Sequence, residues 1–412
     1  MLSKIIIFIA ISFWLLIFYY SVLTTSGLIF RVRKENDVKN NLEEYPSVDI
    51  LIPAHNEDKV LFETLDSMAN LIYPGELKIY VLNDNSTDQT GDIADYFSKL
   101  YKNIFHVKVP PGFPKGKARV LNYGLSISEG EMVIVFDADN QPQPDAVLKL
   151  VTKTLENKRY AGAVGYVRTI NMYKNFLTRM IGIEFLVFQL LMQCGRWQLF
   201  KLGSLTGTNM LVKRKVLKEI GGWDPYALAE DAELTMRITA KGYLLPIVPD
   251  SITWEQEPET YKVWLRQRTR WMLGNLYIVS KLIREKTLRR NANIVNAVQL
   301  ISIYHLFVAM VLVSDIWFAM GILGRINVDY KIPLLIIWFE SWWVYVVQLI
   351  ASIVIDKEIN VGNIIISMLM YFTYAQLWIL LLIRAHLTQL KNRLQSKDSS
   401  TFIVWDKTVR FC

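Results

Sequence analysis

Residues 47–54 read SVDILIPA, residues 77–83 LKIYVLN and residues 132–140 MVIVFDADN. Each opens as a short apolar run and ends in polar residues. Stretches with helical spacing lie between them, at 58–71, 88–100 and 117–128, with a further short strand at 104–109. Apolar runs bounded by turn-forming residues read as buried strands. Their alternation with helical patterns predicts a Rossmann-like α/β fold, a parallel sheet with helices on both faces. In such sheets ligands bind beyond the carboxyl ends of the strands. Those ends carry Pro53-Ala54-His55-Asn56-Glu57, Asn83-Asp84-Asn85-Ser86 and Asp137-Ala138-Asp139-Asn140. No GxGxxG follows the first strand and no GxxxxGK[ST] occurs, so dinucleotide oxidoreductases and P-loop NTPases lose their main support.

Outward from this region the composition changes. The chain has 412 residues, 52% of them hydrophobic and 20% charged, which excludes a disordered protein. The apolar residues are clustered at the ends. Residues 5–30 hold no charge and exceed the ~20 residues that a span requires. No small-residue cleavage site follows, so a retained anchor is expected. Arg31, Arg33 and Lys34 place that end of the anchor in the cytoplasm. Three further apolar stretches, 294–323, 332–355 and 361–383, lie near the C-terminus. Three spans after a cytoplasmic domain would leave the C-terminus outside, whereas Arg384, Lys391, Arg393 and Lys397 argue for inside. Either one stretch is interfacial or re-entrant, or 294–323 holds more than one element. The net charge of +8 fits cytoplasmic-side Lys and Arg near anionic lipid, and no nucleic-acid motif is present. Two cysteines, Cys194 and Cys412, are too few for a disulfide framework.

The middle of the chain, about 31–293, has ordinary globular composition and suffices for one α/β domain. Asp137 and Asp139 at a strand mouth suit an oxygen-ligated Mg²⁺ or Mn²⁺. Asp84 offers an acceptor to a base or ribose, and Lys117 a cation to a diphosphate. Glu230 and Asp231 stand where a helix begins, and a carboxylate beside a nucleotide site can act as general base. Taken singly, each feature has a plainer reading: a solvated turn, a basic turn, ordinary helix capping. The segment 261–275 (YKVWLRQRTRWMLGN) reads equally as an amphipathic helix at the membrane surface.

The ordered set, over residues 47–277, resembles the membrane-embedded, processive family 2 glycosyltransferases, the synthases of cellulose, hyaluronan, chitin and poly-N-acetylglucosamine. It also includes Leu121-Asn122, Gly207-Thr208-Asn209, Gly221-Gly222-Trp223-Asp224 and Gln267…Arg270-Trp271. The resemblance implies a GT-A catalytic domain joined to an α-helical transmembrane domain. It implies that Glu57 and Asp84 hold uridine, Lys117 and Arg270 the diphosphate, and Asp137 and Asp139 the donor sugar and metal, with Asp139 the direct ligand. Asp231, beside Glu230, becomes the catalytic base; the motif Thr-Glu-Asp reads Ala229-Glu230-Asp231 here and departs at its first position. Gln267 and Trp271 match QxxRW, and with Gly207 and Thr208 they would meet the acceptor. Trp405, Lys407 and Thr408 would belong to a gating tail.

These expectations divide the chain into an anchor (1–30), a cytoplasmic catalytic domain (31–277), an interfacial helix (278–293), transmembrane helices (294–384) and a gating tail (385–412). They describe a multi-pass plasma-membrane enzyme that polymerises a UDP-sugar, UDP-N-acetylglucosamine or UDP-glucose, and exports the product. Its partners are the donor, a growing polysaccharide and the bilayer, with a small membrane accessory subunit left open. Trp317, Trp338, Trp342, Trp343 and Trp378 would line the passage or anchor at the interface. Two other readings stand beside it: a non-processive transferase acting on a polyprenyl phosphate, and a receptor or transporter with a catalytically dead domain.

Overall fold

The computed structural model describes residues 2–33, 42, 44–324 and 328–395. Eight strands form one sheet: β1 (Val48–Ala54), β2 (Leu77–Asn83), β3 (Ile104–Lys108), β4 (Met132–Val135), β5 (Gln141–Pro142), β6 (Gly162–Thr169), β7 (Met210–Lys213) and β8 (Ile247–Glu255). Their spatial order is β3-β2-β1-β4-β7-β6-β8-β5. The first four are parallel, as their spacing predicts. Beyond them the sheet is mixed: β7 runs antiparallel to β4 and β6, and β8 returns parallel to β6. Side chains alternate across the pleat. Val48, Ile50 and Ile52 pack on one side with Leu61, Leu65, Phe97 and Leu150. Leu51, Val133 and Val135 pack on the other with Leu121, Leu217 and Leu234.

Among the described residues three helices are long and apolar enough to cross a bilayer: Trp14–Val32, Phe176–Phe200 and Trp338–Ile355. A fourth span arises if Val361–Leu369 and Tyr374–Lys391, bent by 45° at their break, count together. The stretch expected as one apolar run near 294–323 is helical from Asn291 to Ile322 through a π-helical segment, Ser302–Leu306. The Phe176–Phe200 helix lies inside the region read as an ordinary globular domain. Arg179, Glu184, Gln189, Gln193 and Arg196 interrupt its apolar sequence and hide its length. Gln189 accepts from the Val167 N–H at 2.9 Å and donates to the Val167 carbonyl at 3.0 Å, fixing the helix to β6. The N-terminal helix crosses it at two glycines. A Cβ on Gly27 would lie 2.0 Å from the Leu191 carbonyl oxygen, and one on Gly195 2.0 Å from that of Leu23. Only glycine permits this approach.

The catalytic sheet is also clamped to the loop before Val361. Arg168, at the end of β6, pairs with Asp356 at 2.6 Å and Glu358 at 3.4 Å. Arg179 donates to Asn363 at 2.6 Å and Asn360 at 2.8 Å, and Tyr173 donates to Glu358 at 2.5 Å.

Candidate active site

The carboxyl ends of β1, β2 and β4 bring three polar loops to one rim of the sheet. Asn56 N donates to Ser86 Oγ at 3.0 Å, and His55 Nδ1 lies 2.7 Å from the Asp84 carbonyl oxygen, so the first two loops are knitted together. The Asp84 carboxylate accepts from Arg119, a residue the motif pattern did not single out.

Lys117 opens the Lys117–Ile127 helix and joins the remaining loops. Its Nζ lies 2.6 Å from Asp137 and 3.4 Å from Glu230, and donates to the Gly207 carbonyl at 2.7 Å. Burial works against its charge, but Asp137 and Glu230 outweigh that, and its pKa moves upward. Gly207 sits at φ +83°, and a Cβ there would lie 3.4 Å from Asp231 Oδ2 and 3.6 Å from Lys117 Nζ. A side chain at 207 would touch both groups at ordinary contact distance, but the left-handed backbone there favours glycine.

Asp231 lies in the first turn of the Glu230–Ala240 helix and accepts from the Ala232 N–H at 2.8 Å. Burial, and then the adjacent Glu230, push its carboxyl up to about 7, against the pull of that N–H and Lys117. Such a value suits a general base working near neutrality. The helix itself is anchored from behind. Glu233, fully buried, pairs with Arg237 at 2.6 Å and with Lys281 at 2.7 Å, and Lys281 also reaches Asp224 at 2.7 Å.

Asp137, Asp139 and Glu255 place their carboxylate oxygens within 4.8 Å of one another. Three hard oxygen donors so close together fit Mg²⁺ or Mn²⁺. Asp139 is 4% exposed and accepts from the Gln256 N–H at 3.3 Å. Glu255 ends β8, opposite Thr169 of β6. Sequence reasoning missed it, although the strand-end rule applied once more, to the run 247–255, would have reached it.

The Thr208 hydroxyl accepts from the Asp137 N–H at 3.0 Å and donates to Asn140 Oδ1 at 2.8 Å. It braces the Asp137–Asn140 turn from beneath. On the Tyr261–Arg284 helix, Gln267 Oε1 and Arg270 Nε are buried without a protein partner. Among the described residues Arg270 makes no ion pair, leaving it available to an anionic ligand. Arg268, another residue the motif reading passed over, is 3% exposed and committed to Glu184 at 2.7 Å. Its guanidinium carbon lies 4.2 Å from the Trp271 ring centroid and fixes that ring.

Glu57, Asp84, Lys117, Asp137, Gly207, Glu230, Asp231, Gln267, Arg270 and Trp271 all line one cavity of about 530 Å³. The same cavity is lined by Tyr345, Tyr371, Tyr374 and Trp378, and by Leu16 and Tyr20 of the N-terminal helix. Trp338, Trp342 and Trp343 are not on its wall; Trp338 stacks on Phe318 at 4.7 Å and Trp342 packs against Trp343 at 6.3 Å. Trp405, Lys407 and Thr408 lie outside the described residues.

Residues 46–274 match the family described as "Glycosyltransferase like family 2". The chain belongs to that family. This family 2 glycosyltransferase is 39% identical to "Probable glycosyltransferase YdaM" of Bacillus subtilis over 412 residues, covering 98% of this chain and 97% of that protein. It is 25% identical over 336 residues to a poly-beta-1,6-N-acetyl-D-glucosamine synthase of Staphylococcus epidermidis, covering 80% and 79% of the two chains. It is 30% identical over 250 residues to a beta-monoglucosyldiacylglycerol synthase of Nostoc, covering 60% of this chain and 53% of that one, about half the relative's length. Its fold is that of the mannosyltransferase PcManGT from Pyrobaculum calidifontis, solved with GDP-Man and Mn2+, at a TM-score of 0.57 and 19% identity over 95% of this chain and 99% of that one. The family 2 glycosyltransferase is thus a transferase with a GT-A sheet.

Proposed function

We propose that this enzyme is a processive, inverting β-glycosyltransferase at the cytoplasmic face of the plasma membrane. It adds sugars from UDP-N-acetylglucosamine or UDP-glucose to a growing polysaccharide and passes the chain outward. The observation that carries this reading is the cavity, whose one wall carries Glu57, Asp84, Lys117 and Asp231 together with aromatic side chains of apolar helices. A polymer made at Asp231 would enter a wall of Tyr345, Tyr374 and Trp378, whose faces suit sugar rings. The similarity to a polysaccharide synthase supports the same acceptor class.

In this reading Glu57 and Asp84 receive the nucleoside, and Lys117 and Arg270 hold the diphosphate. The acceptor hydroxyl attacks the anomeric carbon, the bond to the diphosphate breaks, and the configuration inverts. Asp231 takes the hydroxyl proton. Negative charge growing on the departing diphosphate is met by Lys117 and Arg270, already in place. Asp137, Asp139 and Glu255 would hold a divalent cation that adds to this stabilisation. Gln267 and Trp271 orient the acceptor.

A lipid acceptor is the second reading, favoured by the apolar helix faces on the cavity wall and by the similarity to a glycolipid synthase. Purified enzyme incubated with labelled UDP-sugar separates the two. A water-soluble, glycosidase-sensitive polymer supports the proposal; label confined to a solvent-extractable product with one sugar overturns it.

A further inference from the structure

Arg196, in the Cys194–Phe200 helix, is a buried cation that lacks a counter-charge. It is 9% exposed. It donates to Gln193 Oε1 at 3.3 Å and to Asn296 Oδ1 at 2.5 Å, both neutral, and its Nε has no partner. Among the described residues no carboxylate pairs with it. The two other arginines buried as deeply each have one: Arg214 meets Asp49 at 3.0 Å and Arg268 meets Glu184 at 2.7 Å. An isolated buried charge is costly, and a guanidinium fork matches two phosphate oxygens at once.

The surroundings say what kind of anion would come. Arg196 lines the same cavity as Ile17 and Tyr20 of the N-terminal helix and Ala297 and Leu300 of the Asn291–Ile301 helix. Asn293 Oδ1 and Gln299 Oε1, on the same wall, are buried acceptors without a donor. One guanidinium, two vacant acceptors and the apolar side chains Leu16, Ile17, Phe188 and Met192 of two bilayer-length helices on the same cavity wall together describe a head group with a tail. We propose that Arg196, with Gln193 and Asn296, holds the phosphate of a phospholipid whose head-group hydroxyls donate to Asn293 and Gln299. The site is tied to the catalytic helix: Gln193 donates to the Ser204 carbonyl at 3.2 Å, Leu205 N–H to Thr235 Oγ1 at 3.0 Å, and Thr235 to the Asp231 carbonyl at 2.9 Å.

The test uses the full chain in nanodiscs of phosphatidylcholine, with or without phosphatidylglycerol. It reads thermal unfolding, and by native mass spectrometry the lipid retained after gentle extraction. Phosphatidylglycerol is expected to raise the wild-type unfolding temperature and to remain bound. Arg196→Gln should weaken its affinity about tenfold, the effect of losing one charge-assisted contact. Asn296→Asp gives Arg196 an internal counter-ion and should expel the lipid while keeping the fold at least as stable. That variant decides the matter even where Arg196→Gln fails to fold. Inorganic phosphate and glycerol 3-phosphate should leave the phosphatidylcholine sample unchanged; reproduction of the lipid effect by either overturns the lipid assignment. Equal phosphatidylglycerol retention by wild type and variants overturns the site. Binding is read without turnover, so this outcome is independent of whether the product is a polymer or a glycolipid.

Discussion

Two adjacent carboxylates, Glu230 and Asp231, face a single nearby ammonium, Lys117, which Asp137 already holds at 2.6 Å. The charge is insufficient for all of them, and Asp231, the more weakly compensated, is pushed up to about 7 by burial and by Glu230. A base must be ionised to accept a proton, so kcat/KM should rise with pH through about 7 and then level off. Asp231→Asn should remove ~10²–10⁴-fold of the transfer rate, with UDP binding by calorimetry little changed. The folded pKa exceeds the usual 3.8, so the stability gained from the protonated group is present at acid pH and lost as pH rises through about 7. Asp231→Asn should accordingly raise the unfolding temperature at about pH 8 and leave it unchanged near pH 4. Glu255→Gln should raise the half-saturating Mn²⁺ or Mg²⁺ concentration by at least ~10-fold, since even outer-shell losses cost that much. Most of this site was legible, because Glu57, Asp84, Asp137 and Asp139 each stand just beyond a mainly apolar strand run. Glu255 was passed over because Pro249 and Asp250 interrupt its strand; Asp250 pairs with Arg31 at 3.1 Å.

The elements divide in the same way. Of the four parallel strands, β1 and β4 were legible because their runs are mainly apolar and buried, whereas β2 and the edge strand β3 carry Lys78, His106 and Lys108 and are less deeply buried. The antiparallel half was not, since β7 has four residues and β5 two. The Phe176–Phe200 helix escaped notice because its polar residues find partners within the protein, which makes its sequence less apolar than its setting. Its crossing with the N-terminal helix admits no side chain. Gly27→Val or Gly195→Val should destabilise the protein by about 1–3 kcal/mol or more, seen as a lower unfolding temperature in nanodiscs. Lys281→Met would leave Glu233 with one cation and Asp224 with none. A loss of about 3–5 kcal/mol is expected for breaking a buried pair. The catalytic helix would be loosened with it, so kcat should fall further than the affinity for UDP.

At the scale of the molecule, no seam separates enzyme from membrane part. Tyr166, Trp264, Leu349 and Tyr374 belong to one buried cluster, drawn from the sheet, the Tyr261–Arg284 helix and the C-terminal helices. The Arg168–Asp356 pair fastens the same junction. Arg168→Met should convert a single thermal transition into two, by calorimetry, and shorten the product while leaving UDP affinity intact. Length and composition divided the chain into a domain and a membrane assembly; contacts far apart in sequence, which neither quantity encodes, make them one body. In the processive reading, product would advance through a body fastened in this way as a ratchet does: thermal sliding would empty the site at Asp231, and the next bond formed there would forbid the return.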